Sequence, residues 1–339
     1  MIEIDGSYLE GGGQIIRTAI ALSAIANKPV HISNIRKGRD KPGLKPQHLH
    51  GISAARQICA AKTDGLNMGS TTITFLPKKI RGGHYSIDTK TAGSTTLILQ
   101  TLVPIGIYAD SPLELTIRGG TAVPFSPSIG YFLHVLCPLL QRIDVSVDIE
   151  VKRHGFYPQG GGEISARIMP SDLKPLRMIE RGTAKEVRVW IFASQQLNAA
   201  RVAERIQAGF SRIIKKAEVE RLYVDALSPG CCITACALFE NGILGATALG
   251  KRGKPAEQVG LEAAKDLKAA IDSDASIDWW MVDQLIIFMA LAVYKTGEPS
   301  AVSIPSLTKH AQTSIWVVEK FLPVKFNVEE HVLRCAKNA

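Results

Sequence analysis

A repeated grammar constrains this chain more than any other feature. An apolar helical stretch, Gln14 to Ala26, runs into the breaker Ala26-Asn27-Lys28-Pro29 and then into the strand-like Val30 to Ile35. The same order returns as Thr95 to Tyr108, Ala109-Asp110-Ser111-Pro112 and Leu113 to Ile117, and again as Asp283 to Tyr294, Thr296-Gly297-Glu298-Pro299 and Ala301 to Ile304. Helical apolar spacing, a proline that ends it and a short β-branched run together predict a helix followed by a strand. Each strand precedes a second helix (Pro46 to Ala61, Ser128 to Arg142, Ala311 to Phe321) and a closing β-rich run (Thr71 to Leu76, Val145 to Lys152, Val324 to Val328). Three copies of one two-helix, sheet-backed α/β module are expected, packed about a common core.

The prolines also locate an insertion. Pro29 and Pro112 are 83 residues apart, whereas Pro112 and Pro299 are 187 apart. The excess falls after the second module and holds its own pattern: strand Glu186 to Phe192, helix Asn198 to Ala217, strands near Leu222 to Val224 and Cys232 to Leu238, and helix Ala256 to Ile271. The expected organisation is a discontinuous three-repeat domain, residues 1–183 and 276–339, with repeats at about 1–80, 81–160 and 161–183 plus 276–339. A smaller α/β domain, 184–275, is inserted in it. The fold class is mixed α/β (α+β).

Composition narrows the function classes. The 339 residues carry 40 Lys and Arg against 31 Asp and Glu, a net charge of +9, which suits either a polyanionic partner or a merely basic enzyme. The longest apolar run, Leu285 to Tyr294, is too short to cross a bilayer, and the N-terminus lacks the basic and apolar regions of a secretory signal. A cytoplasmic protein is expected. Cysteines 59, 137, 231, 232, 236 and 335 form no CxxC pair and read as free thiols.

Three stretches carry candidate chemistry. Glu10-Gly11-Gly12-Gly13-Gln14 sits between a short strand and a helix, where it is either a tight connection or an anion cradle, with Arg17 one turn along. Ala92-Gly93-Ser94-Thr95-Thr96 repeats the arrangement with hydroxyls as helix caps. From Arg36 to His48 five basic residues accompany one acid, either a solvated face or a phosphate-contacting loop leading into a helix. No aromatic residue lies in that stretch, so it offers no base-stacking platform. His310 precedes the last helix, where it is either a packing or capping residue or a neutral imidazole nucleophile competent to form a phosphoramidate.

The same residues resemble the RNA 3′-terminal phosphate cyclases. The likeness is carried by Glu10 to Arg17, by Ile35-Arg36-Lys37-Gly38-Arg39 with Lys41-Pro42-Gly43-Leu44 and Gln47-His48-Leu49, and by Ala92-Gly93-Ser94 through Thr101. It continues through Arg153 to Pro158 with Gly160 to Gly162, Asp283-Gln284-Leu285, and His310 with Thr313, Val317-Val318-Glu319 and Phe321 to Val324. The resemblance implies three βαβαββ-type repeats with a thioredoxin-like insert. It also implies an ATP-dependent ligase that converts an RNA 3′-terminal phosphate to a 2′,3′-cyclic phosphodiester. His310 would carry AMP, which passes to the RNA 3′-phosphate before the neighbouring 2′-OH closes the ring and releases AMP. Gln100 and Trp280, Met281, Val282, Asp283 and Gln284 would line the nucleotide pocket, with Trp280 either stacking on adenine or packing between domains beside Trp279. Arg17, Arg36, Arg39, Gln47 and His48 would hold phosphates of ATP or RNA, and Glu10 a Mg²⁺ or Mn²⁺ ion.

Three positions depart from the family pattern. Ala122 and Gly130 stand where the family usually has Asp, and Ser128 replaces a proline near the adenine. These changes bear on nucleotide affinity and choice. Partners implied are ATP and RNA with a 3′-terminal phosphate, with no membrane and a homodimer left open. The alternative class is the cyclase-like ribosome-biogenesis proteins, which share the scaffold without an adenylated histidine; enolpyruvyl transfer is a weaker rival on a related repeat architecture. The insert has three open roles: RNA binding, dimerisation or packing.

Overall fold

The threefold grammar appears in the sheets. In the computed structural model, which describes residues 1–338, the strands form four sheets of four. The first sheet sets Ile2–Asp5, Val30–Ser33, Ile73–Leu76 and Lys62–Asp64 side by side, with only the first pair parallel. The second repeats that order and direction with Gly83–Asp88, Leu113–Gly119, Gly162–Ile168 and Val147–Arg153. So does the third, with Arg177–Met178, Ser300–Ser303, Val332–Lys337 and Val324–Glu329.

One expected repeat boundary is corrected. Gly162–Ile168 closes the second sheet, so the second repeat does not end at residue 160 and the third opens with Arg177–Met178. Gly160-Gly161-Gly162 is the turn that feeds this strand, its Gly161 carbonyl accepting from Arg153 Nε at 2.6 Å. The opening strand of the third repeat is only two residues long, too short for alternation to reveal it.

Helices fill the space between the three sheets. Gly13–Ala26 packs against both Thr95–Gly106 and Lys309–Phe321, and buries Ile15, Ile16, Ala19, Ile20 and Leu22 completely or nearly so. Trp279–Thr296 is apolar around most of its circumference, as a helix enclosed by others must be. The second helix of the second repeat is interrupted: Ile129–Tyr131 and Cys137–Gln141 flank a π turn, Phe132–Leu136. Pro138 accounts for this, because it has no N–H to return to the His134 carbonyl. That carbonyl accepts the Cys236 thiol instead, at 3.6 Å.

The fourth sheet orders Glu218–Val224, Ala184–Ser194, Cys231–Phe239 and Ile243–Leu249, backed by Val202–Phe210 and Ala256–Asp272. The helix expected over Asn198 to Ala217 is confined to Val202–Phe210, because the chain enters through a 3₁₀ turn and leaves it in turns after Phe210. Ile243–Leu249 was not expected: Ile-Leu-Gly-Ala-Thr-Ala-Leu is small and apolar on both faces, and both are buried. This sheet and its helices have a separate core around Ile191, Phe210, Ile233, Leu244 and Leu267. It meets the larger core where Trp190 stacks on His134, with ring centroids 3.5 Å apart. All six cysteines are free and buried, and no helix among the described residues is long and apolar enough to cross a membrane.

Candidate active site

The helix Gly13–Ala26 begins at Gly12, which supplies no side-chain cap, so the backbone N–H groups of its first turn face the glycine turn. A Cβ on Gly13 would run into His48 Nε2, so only glycine lets that ring lie against the helix start. His48 is 5% exposed, and burial, aided by Arg17, Arg36 and Lys45, pushes its imidazole down to about 3. The ring is therefore neutral. Its Nδ1 accepts the Lys45 N–H at 3.2 Å, leaving the proton on Nε2 beside Gly13.

His310 comes from the opposite end of the sequence, at the start of Lys309–Phe321, where Thr308 caps the helix by accepting from the Ala311 N–H. Its Nδ1 lies 2.6 Å from Gln14 Oε1. Gln14 Nε2 faces Asp283 Oδ2 at 2.9 Å and Ser314 Oγ at 2.5 Å, which orients the amide so that its oxygen meets the imidazole. Nδ1 is thus the protonated nitrogen, and Nε2 is the one presented to the site. Glu10 Oε2 lies 2.8 Å from that Nε2 and 3.7 Å from the Arg39 guanidinium. Only when the ring carries a second proton does Nε2 donate, and Glu10 Oε2 is then its acceptor. Burial lowers the imidazole below its ordinary value of 6.5 against the opposing charge of Glu10, which favours losing that proton.

A cavity of about 40 Å³ is lined by Gln14 of this cluster, by Arg17, and by Gln100, Asp283 and Gln284 of the expected nucleotide set. Burial brings Arg17 down to about 10 and lifts Asp283 to about 7, each partly offset by the other's charge. Gln100 Nε2 donates to Gln284 Oε1 at 3.1 Å, and Gln284 Nε2 donates to the Trp280 carbonyl at 3.1 Å. Trp280 itself is 59% exposed, available for stacking, while Trp279 packs against the second core and bonds Ser306.

Several expected residues stand elsewhere. Met281 and Val282 are completely buried in the larger core and do not line the cavity. Arg36 spends one guanidinium nitrogen on the carbonyls of Lys41 and Gly43, at 2.7 and 3.1 Å, so it shapes the basic loop. Gln47 is half-buried on the first turn of Pro46–Ile58 and has no hydrogen bond to the cluster among the described residues. Sequence reasoning assigned no role to Gln14, although its place four residues after Glu10 on the same glycine turn was a usable signal.

The departures form one patch with the fourth sheet. Ser128 Oγ lies 3.0 Å from Thr234 Oγ1 and 3.1 Å from Thr247 Oγ1. A Cβ on Gly130 would sit 2.7 Å from Thr234 Oγ1. Ala122 packs with Phe156 and Cys232. Strands of the fourth sheet thus fill the space that larger side chains at these positions would need.

Residues 8–328 match the family model described as RNA 3'-terminal phosphate cyclase. The chain belongs to the RNA 3′-terminal phosphate cyclase family. It is 43% identical over 337 residues to a protein of that name from Methanosarcina barkeri, covering 97% of each chain. It is likewise 43% identical over 343 residues to one from Thermococcus kodakarensis, covering 98% of this chain and 95% of the other. A crystal structure of the enolpyruvyl transferase NikO from Streptomyces tendae aligns at a TM-score of 0.30 and 15% identity, over 50% of this chain and 33% of that one. That likeness is too slight to support the rival chemistry. The assembly-factor alternative is disfavoured by the family match and by a histidine already held in place.

Proposed function

We propose that this enzyme cyclises RNA 3′-phosphate ends through a covalent histidine intermediate. His310 Nε2 attacks the α-phosphorus of ATP, forming an N–P bond as the bond to pyrophosphate breaks. The AMP then moves from His310 to an oxygen of the RNA 3′-phosphate, freeing the histidine. The adjacent 2′-OH attacks the activated phosphorus, loses its proton and expels AMP, leaving the 2′,3′-cyclic phosphate. Held beside the phosphorus, the 2′-OH gains most of its reactivity from proximity.

The observation that carries this reading is the His310 imidazole held by Gln14 at Nδ1, with Nε2 turned toward Glu10, Arg39 and the open N-terminus of Gly13–Ala26. Arg17, Arg39 and the His48 N–H are the candidates for the phosphates, joined by the backbone N–H groups of the glycine turn. Trp280 offers its exposed face to adenine, and Gln100 and Gln284 offer amides. No cluster of three metal-ligating side chains exists among the described residues, but Glu10 retains partial exposure. One carboxylate fits a Mg²⁺ or Mn²⁺ ion held mainly by substrate phosphates, and such an ion would neutralise triphosphate charge.

The division into a three-repeat domain (1–183 and 276–339) and an insert (184–275) is part of the proposal, supported by the two separate cores. A parallel pair followed by two antiparallel strands, with a crossover helix and a C-terminal helix, supports a thioredoxin-like insert. The test is incubation with α-labelled ATP and divalent metal. An acid-labile, alkali-stable label should appear on the protein and be absent from His310→Ala; folded wild-type protein that takes no label overturns the mechanism.

A further inference from the structure

An aromatic pair lies beside the cluster. Tyr8, two residues before Glu10, stacks on Trp316 with ring centroids 4.2 Å apart and planes inclined by 15°. The Lys320 ammonium sits 5.8 Å from the centre of the Trp316 ring. Tyr8 is 39% exposed and the next residue, Leu9, is 49% exposed at φ 47°, a left-handed conformation unfavourable for a leucine. A bulky residue held there keeps Leu9 and the outer part of Tyr8 exposed on this turn.

The position is constrained from both sides. Trp316 is six residues beyond His310 on one helix, about 9 Å along its axis. Tyr8 is two residues from the Glu10 that touches His310, about 7 Å of chain at most between their Cα atoms. The basic loop borders the same turn through Arg39 at Glu10, and Asn34, two residues before the loop, donates to Asp5 Oδ1 at 3.2 Å.

We propose that Tyr8, backed by Trp316, is the stacking platform for a nucleobase at the 3′ end of the RNA substrate. An RNA whose terminal phosphate lies at His310 brings its last bases within reach of this ring, while Lys320 and the basic loop flank the backbone. Aromatic stacking suits an enzyme that meets ends of many sequences, because every base has a π face. The inference rests on the cyclase reading of the same site.

The experiment compares Tyr8→Ala, Tyr8→Phe and wild type on a 3′-phosphorylated oligoribonucleotide and on the same oligonucleotide with its last two nucleotides abasic. Expected for Tyr8→Ala is an RNA KM raised about five- to hundredfold, with Tyr8→Phe close to wild type. Wild type should lose a similar factor on the abasic RNA, to which Tyr8→Ala adds little. Self-adenylylation with ATP alone separates the roles: if it falls in Tyr8→Ala as far as cyclisation does, the pair merely pins the Glu10 turn and the proposal is wrong. Fully multiplicative losses from the variant and the abasic RNA also overturn it. Failure of the cyclase reading shows separately, as wild type that never takes the AMP label.

Discussion

Replacing Gln14 by methionine isolates the device that sets the His310 tautomer. Methionine is similar in length but provides no strong acceptor for Nδ1–H, so the 2.6 Å bond to the imidazole and the donations to Asp283 and Ser314 all disappear. A buried hydrogen bond of this kind is worth about 1–3 kcal/mol. If that energy now holds the ring with Nε2 toward the site, its loss lowers the reactive population about five- to hundredfold. The assay is the single-turnover rate of His310 adenylylation at saturating labelled ATP, with circular dichroism to confirm the fold. The expected outcome is a slower rate with bound ATP, since the reacting nitrogen is misdirected while the proposed Trp280, Gln100 and Gln284 contacts to ATP remain. A rate within threefold of wild type in folded Gln14→Met would refute the reasoning and return Gln14 to a packing role.

Other changes test neighbouring features. Asp278 accepts from the Trp280 and Met281 N–H groups, the Tyr131 hydroxyl at 2.6 Å and the Gly245 N–H at 2.7 Å, so Asp278→Ala should cost about 2–4 kcal/mol in urea unfolding. Burial lifts this carboxyl from 3.8 to about 6, so its titration contributes stability that is full below about 3.8 and lost as pH rises through about 6. The wild-type advantage over Asp278→Ala should therefore grow as pH falls from 7.5 to 5. Gly13→Ala should displace His48 and slow cyclisation at least about tenfold with the fold retained, as read by oligonucleotide kinetics and circular dichroism. Gly130→Asp should destabilise by about 1–3 kcal/mol through its clash with Thr234, and Thr234→Ala in the same chain should recover much of that in urea midpoints. Arg39→Ala should impair cyclisation of a 3′-phosphorylated oligonucleotide, and unchanged kinetics would remove Arg39 from the site.

The helix, proline and strand order was legible because it is local: periodicity and a breaker need no partner to be read. The helices Gly13–Ala26, Thr95–Gly106 and Trp279–Thr296 fall where that pattern places them. What escaped depends on tertiary pairing. Gly162–Ile168 belongs to the second sheet only because it pairs with Leu113–Gly119, and Arg177–Met178 is a strand only because Val302 and Ala301 lie beside it. In the site, Gln100, Asp283 and Gln284 converge as their motif suggests, whereas Met281 and Val282 share the motif but point to the core. Helical geometry decides this, since adjacent residues on a helix cannot all face one cavity. The Tyr8 and Trp316 rings lie in different repeats, and nothing in either segment announces the other.

The reactive centre joins the two ends of the polypeptide: Glu10 and Gln14 lie near its beginning, and their partner His310 lies near its end. During synthesis the glycine turn and basic loop emerge with the first repeat, long before the helix that carries His310, the proposed nucleophile. On the proposed mechanism, a ribosome-bound or prematurely terminated chain displays the proposed phosphate-binding turn yet has no atom on which to load AMP. Under that mechanism self-labelling reports a chain synthesised past His310, and any fragment ending before His310 is chemically silent.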